Sequence, residues 1–449
     1  MSIRSESKNQ HKISSPWLMH KRVWSLAAPI ILSNVTVPLV GAVDTAVVGH
    51  LADTALIGAV AFGALIFSFV YWAFGFLRMG TTGFAAQAWG RNDPTEAYLT
   101  LSRAMLIGLS LGFLLIIAHP LIGQLALILF RASLEVESAT AVYFSIRIWS
   151  APAVLGLYAI LGYLIAAQDM RAVLYTQLLL NGLNMFLDIL FVSYFDYGIE
   201  GVAVATVCSE YIAILFGIWL IHHRTGYRVK PTLTHRLLDA GAIRKLLNAN
   251  FNIFIRTLCL IFSFAWFTNR SAQLGDLYLA ANAVLLHLQT ISAYALDGFA
   301  HAAETLVGRA VGQRNRSALL ATIRISTLWA LIVSCLISLI YFIAGSHLLN
   351  SMTNHTDVLI LARAYLPWVV IGPIISVWSF QLDGIFIGAT RTREMRNAML
   401  ISLGGYLLAV EASIDLTHNH GLWMSLLFFF ILRALTLSFY VPRIIATTH

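Results

Sequence analysis

Two acidic side chains, Asp44 and Asp188, stand inside long apolar stretches, where a charge is costly and is kept for a purpose. Asn184 precedes Asp188 by one helical turn, on the same face, and Thr206 lies in the next apolar stretch. If these stretches are helices that alternate in direction, rising 1.5 Å per residue, Asp44, Asp188 and Thr206 fall within roughly 10 Å of one another in depth. Two carboxylates, an amide and a hydroxyl at one level form a site for a proton or a small cation such as sodium. Neighbouring carboxylates in a dry medium resist carrying two negative charges, and so they titrate as a unit. Local capping near the headgroups is the structural alternative for the acids, and interhelical hydrogen bonding is the alternative for Asn184 and Thr206.

A second group of charges falls later in the chain. Arg256, Asp297 and Asp383 share one depth and allow an ion pair or triad, either structural or involved in transport and gating. Arg78 and Glu304 stand at helix ends, where long side chains reach toward headgroups. His287 and His301 suit hydrogen bonding more readily than a proton relay. The roles of Arg147, Glu411 and Arg433 stay open. Pro38 lies less than two turns before Asp44 and is a candidate hinge that would couple protonation to helix shape; Pro29, Pro152, Pro367 and Pro373 are further expected kinks.

The elements that must position these residues follow from composition. With 59% hydrophobic and 11% charged residues among 449, against about 25% charged in soluble proteins, the chain reads as an all-α integral membrane protein. Twelve apolar stretches are each long enough to cross a hydrocarbon layer of about 30 Å. They lie near 24–46, 55–78, 99–118, 139–165, 171–193, 199–221, 246–270, 279–303, 318–345, 358–388, 394–414 and 419–442. They are continuous rather than alternating, which selects helices over strands. The first is too long for a secretory leader and is read as helix one.

Lys and Arg crowd one set of connections, including six basic residues between Arg224 and Lys245, whereas the opposite set holds mostly Asp and Glu. This bias places both termini in the cytoplasm. It accounts for the net charge of +8, so membrane lipids, and no nucleic acid, are the expected partners beyond a small organic substrate. The expected organisation is a cytoplasmic tail at 1–23, a six-helix bundle at 24–221, a linker at 222–245, a second six-helix bundle at 246–442 and a cytoplasmic tail at 443–449. The two bundles would face each other across a central cleft in a monomer. Cys208, Cys259 and Cys335 all lie within spans and suggest neither a disulfide framework nor a metal site. No phosphate loop, HExxH or GxSxG motif is present. Neither ATP-driven pumping nor hydrolysis has a residue basis, no cofactor is implied, and an ion gradient is the expected energy source.

The chain also repeats itself. Leu164–Arg171 (LIAAQDMR) returns 222 positions later as Phe386–Arg393 (FIGATRTR), and the same offset lays Gly58–Val60 over Ala280–Asn282 and Ala86–Gly90 over Gly308–Gly312. In this register Asp44 matches Trp266, Asn184 matches Tyr406 and Asp188 matches Val410. The chemistry has been placed in one half of a duplicated scaffold.

Four segments, VDTAVVGH (Val43–His50), RMGTTGFAAQAWG (Arg78–Gly90), LDGFAHAAETLVGRAVG (Leu296–Gly312) and QLDGIFIGATRTREMRN (Gln381–Asn397), resemble the multidrug and toxic compound extrusion family, in particular its DNA-damage-inducible F branch. The resemblance implies a secondary antiporter of the cell inner membrane, not an enzyme. Such a protein expels cationic or amphipathic organic compounds in exchange for protons or sodium by alternating access. It also implies that Asp44, Asn184, Asp188 and Thr206 hold the coupling ion, and that Asp383 matches an acid important in some relatives. Where certain sodium-coupled relatives carry a glutamate on helix seven, this chain has Arg256, which argues for protons. A lipid or lipid-linked precursor translocase of similar architecture is the alternative.

Overall fold

A computed structural model describes residues 16–49, 54–129, 133–225 and 234–448, with side chains described for 17–34, 56–125, 133–224 and 235–448. The regular structure of these residues is helical, with no strand among them. The helices are α1 (Pro16–Gly49), α2 (Thr54–Ala73), α3 (Phe76–Gly90), α4 (Pro94–Leu129), α5 (Leu134–Arg147), α6 (Ala151–Ala166), α7 (Met170–Asp188), α8 (Gly198–Thr225), α9 (Thr234–Leu237), α10 (Ala240–Leu274), α11 (Asp276–Gly312), α12 (Arg316–Met352), α13 (Thr356–Gly388), α14 (Thr392–Thr417), α15 (Asn419–Ser438) and α16 (Val441–Ala446). Eleven stretches of the described residues are long and apolar enough to cross a membrane. α1, at 34 residues, makes the twelfth.

Three spans depart from simple rods. The second breaks at Phe74–Gly75, between α2 and α3. The fourth is divided by a 3-10 turn at Ile148–Ser150, and Pro152 falls in the first turn of α6. A proline there forfeits no intrahelical hydrogen bond, so the expected kink is realised as a helix restart. The fifth span continues beyond α7 as a π-helical stretch, Ile189–Tyr194, that begins immediately after Asp188. α13 stays helical through Pro367 and Pro373, and Ser338 on α12 donates to the carbonyl of Val370, in the turn before Pro373.

Packing divides the described chain into two units that are not contiguous in sequence. One comprises Leu32–Ala85 and Asp93–Leu247; the other comprises α1 up to Ile31, Ala86–Asn92 and everything from Asn248 onward. Residues 24–31 and 86–92 thus pack with the second unit, whereas the sequence order alone suggests the first. Side chains show how. Trp329 donates to His20 Nδ1 at 2.9 Å, Trp24 meets Phe299 edge-on at 5.3 Å, and Gln87 donates to the Gly388 carbonyl at 2.9 Å. Within the second unit Phe267, Tyr406, Trp423 and Phe429 are almost wholly buried and anchor the apolar core.

The duplication is written in the backbone. Six non-glycine residues among those described have positive φ: Asn92, Gln168, Asp196, Arg314, Thr390 and His418. They form three pairs, each 222 positions apart. A strained turn conformation repeated at one offset marks the same loop used twice. Helix starts repeat too: Asp93 accepts from Glu96 N at 2.9 Å and Asn315 from Ala318 N at 3.0 Å, side-chain caps at matching positions. Gly162 and Gly384, again matched, allow a neighbouring backbone to approach. A β-carbon would sit 2.5 Å from the Arg78 carbonyl oxygen in the first case and 2.3 Å from that of Ala300 in the second.

Candidate functional site

α7 and α8 lie side by side in the first unit and bring two of the expected residues into contact. Asn184 Nδ2 donates to Thr206 Oγ1 at 3.2 Å, and Thr206 in turn donates to the Val202 carbonyl at 3.0 Å. Both residues are buried, and Asp188, one turn beyond Asn184 on the same face of α7, is fully buried. Asp188 closes α7 at the junction with the π-helical stretch. Such junctions change the helical register locally and are frequent at functional sites. Asp44 and Pro38 fall in the second half of α1, where side chains lie outside the described residues.

The duplicated positions in the second unit are apolar or aromatic. Asn184 and Asp188 correspond to Tyr406 and Val410, both fully buried, and Thr206 corresponds to Phe428. One scaffold therefore carries polar side chains at these three positions in one copy and apolar or aromatic side chains in the other.

The second charge cluster forms with a changed membership. Arg256 on α10 and Arg433 on α15 both donate to Oδ2 of Asp383 on α13, the Arg433 bond measuring 2.6 Å. All three residues are buried. The Arg433 guanidinium also lies over the rings of Phe429 and Phe430, at 5.5 and 5.6 Å. Asp297, half-buried on α11, acts on Arg433 through its charge rather than as the third member of a contact triad. Two guanidinium groups and two carboxylates balance, which is how buried charge is tolerated. Glu304 does not reach toward headgroups: it is buried, with one oxygen 3.6 Å from His301 Nδ1. Glu411, on α14, pairs with Arg270 at an exposed position.

A third polar cluster joins Arg147, whose role the sequence leaves open, to Glu210, which the sequence does not single out. Glu210 on α8 is buried, four residues after Thr206 and so on the same helix face. Its Oε1 lies 3.9 Å from Arg147. Arg147 donates to the Tyr143 hydroxyl at 2.6 Å and covers the ring of Phe67 at 5.0 Å. The Tyr71 and Ser150 hydroxyls share a hydrogen bond of 3.0 Å beside this pair. The spacing of Thr206 and Glu210 within an apolar span was the available signal.

Twelve apolar helices in two copies of one six-helix pattern, each copy burying its own set of polar and charged side chains, are the architecture of a polytopic membrane transporter. The MatE family model matches residues 29–190 and 253–410, once in each half. The chain belongs to that family. It is 40% identical over 418 residues to DNA damage-inducible protein F of Escherichia coli K12, covering 93% of this chain and 91% of that protein. It is 24% identical over 382 residues to a probable multidrug resistance protein NorM of Thermotoga maritima, covering 83% and 80%. Among solved structures, a MOP superfamily transporter from Pyrococcus furiosus superposes with a TM-score of 0.87 at 17% identity, covering 96% of this chain and 97% of that one. A mutant of the Vibrio cholerae MATE transporter VcmN superposes with a TM-score of 0.87 at 18% identity, covering 95% and 97%.

Proposed function

We propose that this transporter is a secondary antiporter of the cytoplasmic membrane, both termini cytoplasmic, that exports cationic or amphipathic organic compounds in exchange for protons by alternating access. The observation that carries this reading is the asymmetry of the duplication. Asn184, Asp188 and Thr206 are buried together in the first unit, while their counterparts are Tyr406, Val410 and Phe428. Packing alone would favour hydrocarbon in both copies, so the polar copy is retained for an ion. Asp44 is assigned to the same site from the sequence. When the acids are bare, the site attracts a cationic substrate; when a proton binds, the attraction is lost and the substrate leaves. Exchange follows because both ligands compete for one negative charge.

Protons are favoured over sodium by the second unit, where Asp383 is neutralised by Arg256 and Arg433 and is not open to a metal cation. The similarity to a probable multidrug resistance protein supports the substrate class. The test is uptake of a labelled cationic dye into everted vesicles driven by a pH gradient, with lipid scrambling measured in parallel proteoliposomes. Asp188→Asn should abolish gradient-driven uptake while the protein remains folded and inserted. Lipid scrambling without dye uptake would replace the antiport reading with lipid translocation.

A further inference from the structure

The ion pair between Arg147 and Glu210 is looser than the pairs that the buried Arg433 and Arg103 make with their carboxylates. Arg433 meets Asp383 at 2.6 Å and Arg103 meets Glu96 at 2.6 Å, the short separation of charge-assisted hydrogen bonds. Arg147 instead stands 3.9 Å from Glu210 and makes no hydrogen bond to it. Its 2.6 Å bond goes to the hydroxyl of Tyr143, and its guanidinium lies over Phe67 at 5.0 Å and Tyr143 at 5.8 Å. The second carboxylate oxygen of Glu210, Oε2, is buried without a hydrogen-bond partner. A pair built only to neutralise charge would close this gap, because an unsatisfied buried carboxylate oxygen is expensive.

Position adds a second, independent argument. Glu210 follows Thr206 by four residues, so the two side chains lie one turn apart on one face of α8, and Thr206 is already tied to Asn184 on α7. The polar row therefore runs from Asp188 and Asn184 through Thr206 to Glu210. In the duplicated half Glu210 corresponds to Leu432 and Arg147 to Val369. Like the α7–α8 site, this cluster exists in the first copy alone.

We infer that Glu210 is a further proton-binding carboxylate of the coupling path, continuing the Asp188–Asn184–Thr206 site by one turn of α8. The inference rests on the antiport reading. A proton from outside water adds to the Glu210 carboxylate, giving a neutral carboxylic acid, and the Glu210–Arg147 pair passes from net zero to one positive charge. The guanidinium left behind keeps its bond to the Tyr143 oxygen and its place over the two rings. The positive charge repels a cationic substrate, and loss of the proton to inside water restores the neutral pair. The groups facing Glu210 are few: Tyr71 from α2, Tyr143 and Arg147 from α5, the Ser150 hydroxyl from the 3-10 turn, Tyr158 from α6 with Arg78 of α3 beyond it, and Tyr211 beside it on α8. From α7, Asn184 joins this row through its hydrogen bond to Thr206.

The experiment is infrared difference spectroscopy of the purified full chain between alkaline and acidic buffer, combined with dye uptake into everted vesicles across a range of outside pH. Glu210→Gln should lose a protonated-carboxyl band that Glu210→Asp retains at a shifted frequency, and Asp188→Asn should lose a different band. Gradient-driven uptake by Glu210→Gln should fall on the order of 100-fold, the usual contribution of a positioned proton-transfer group, and its pH profile should flatten. Where Glu210→Gln alone does not insert, the double variant Arg147→Gln/Glu210→Gln removes both charges and is scored in the same way. A carboxyl spectrum unchanged by Glu210→Gln, or by the double variant, overturns the inference. A parent protein that shows the Glu210 band but no gradient-driven uptake defeats the antiport reading while leaving Glu210 a proton-binding group.

Discussion

Replacing Asp383 with Asn removes the charge that two buried guanidinium groups share. Arg256 and Arg433 donate to the same Asp383 oxygen, and the side chains of Arg256 and Arg433 are 8% and 3% exposed. Neither guanidinium gains appreciable hydration when the pairing is lost. Each charge-assisted hydrogen bond contributes about 1.5–3 kcal/mol, and breaking a buried ion pair from one side costs about 3–5 kcal/mol because a bare charge remains. Asp297, half-buried on α11, offsets part of this through its action on Arg433, so about 4 kcal/mol is a reasonable central value. For a unit of roughly 200 residues this lowers the melting temperature by about 8–16 °C. The assay is thermal unfolding of the detergent-solubilised protein followed by tryptophan fluorescence. A double variant, Asp383→Asn with Arg433→Met, removes one charge of each sign and should regain at least half of the lost stability. A melting point for Asp383→Asn within about 2 °C of the parent would refute the claim that this cluster balances buried charge, as would a double variant less stable than Asp383→Asn alone.

Further outcomes follow from named contacts. Thr206→Val deletes the hydroxyl that accepts from Asn184 at 3.2 Å and should cost about 1 kcal/mol at the site, read as a shift in the pH that half-activates dye efflux; an unshifted profile would remove Thr206 from the coupling site. Gly384→Ala places a β-carbon 2.3 Å from the Ala300 carbonyl oxygen and should destabilise by about 1–3 kcal/mol. Gly404→Ala meets nothing within 4 Å and should stabilise by up to about 1 kcal/mol; thermal melts that rank the two the other way would contradict the packing. His418, at φ 49° and ψ −128°, occupies backbone space suited to glycine, so His418→Gly should raise stability by about 1 kcal/mol, measurable in the same melts.

Asn184 and Thr206 could be paired from one sequence because each required only depth: a position along an apolar helix fixes height in the bilayer, and two polar residues at one height on successive spans tend to meet. Arg433 could not be assigned on that basis. Its depth suited several acids, and the choice of Asp383 depends on how α13 and α15 are rotated about their axes. The expected Arg256–Asp297–Asp383 triad therefore forms with Arg433 in the contact position and Asp297 at longer range. Glu304 fails for a related reason: its place near a helix end suggested exposure, but packing around α11 buries it beside His301.

Hydropathy, basic-residue bias and the 222-residue offset are local, additive quantities, and they sufficed for the membrane class, the twelve spans and the duplicated architecture. The three pairs of left-handed turn residues fall on that same offset because a loop conformation is encoded by the few residues that make it. Tertiary packing alone decided which cations meet which carboxylates, that the opening of α1 and the end of α3 pack with the second unit, and that Glu210 stands beside Arg147. These depend on helix rotation and on contacts between residues far apart in sequence, and no window of neighbouring residues contains that information.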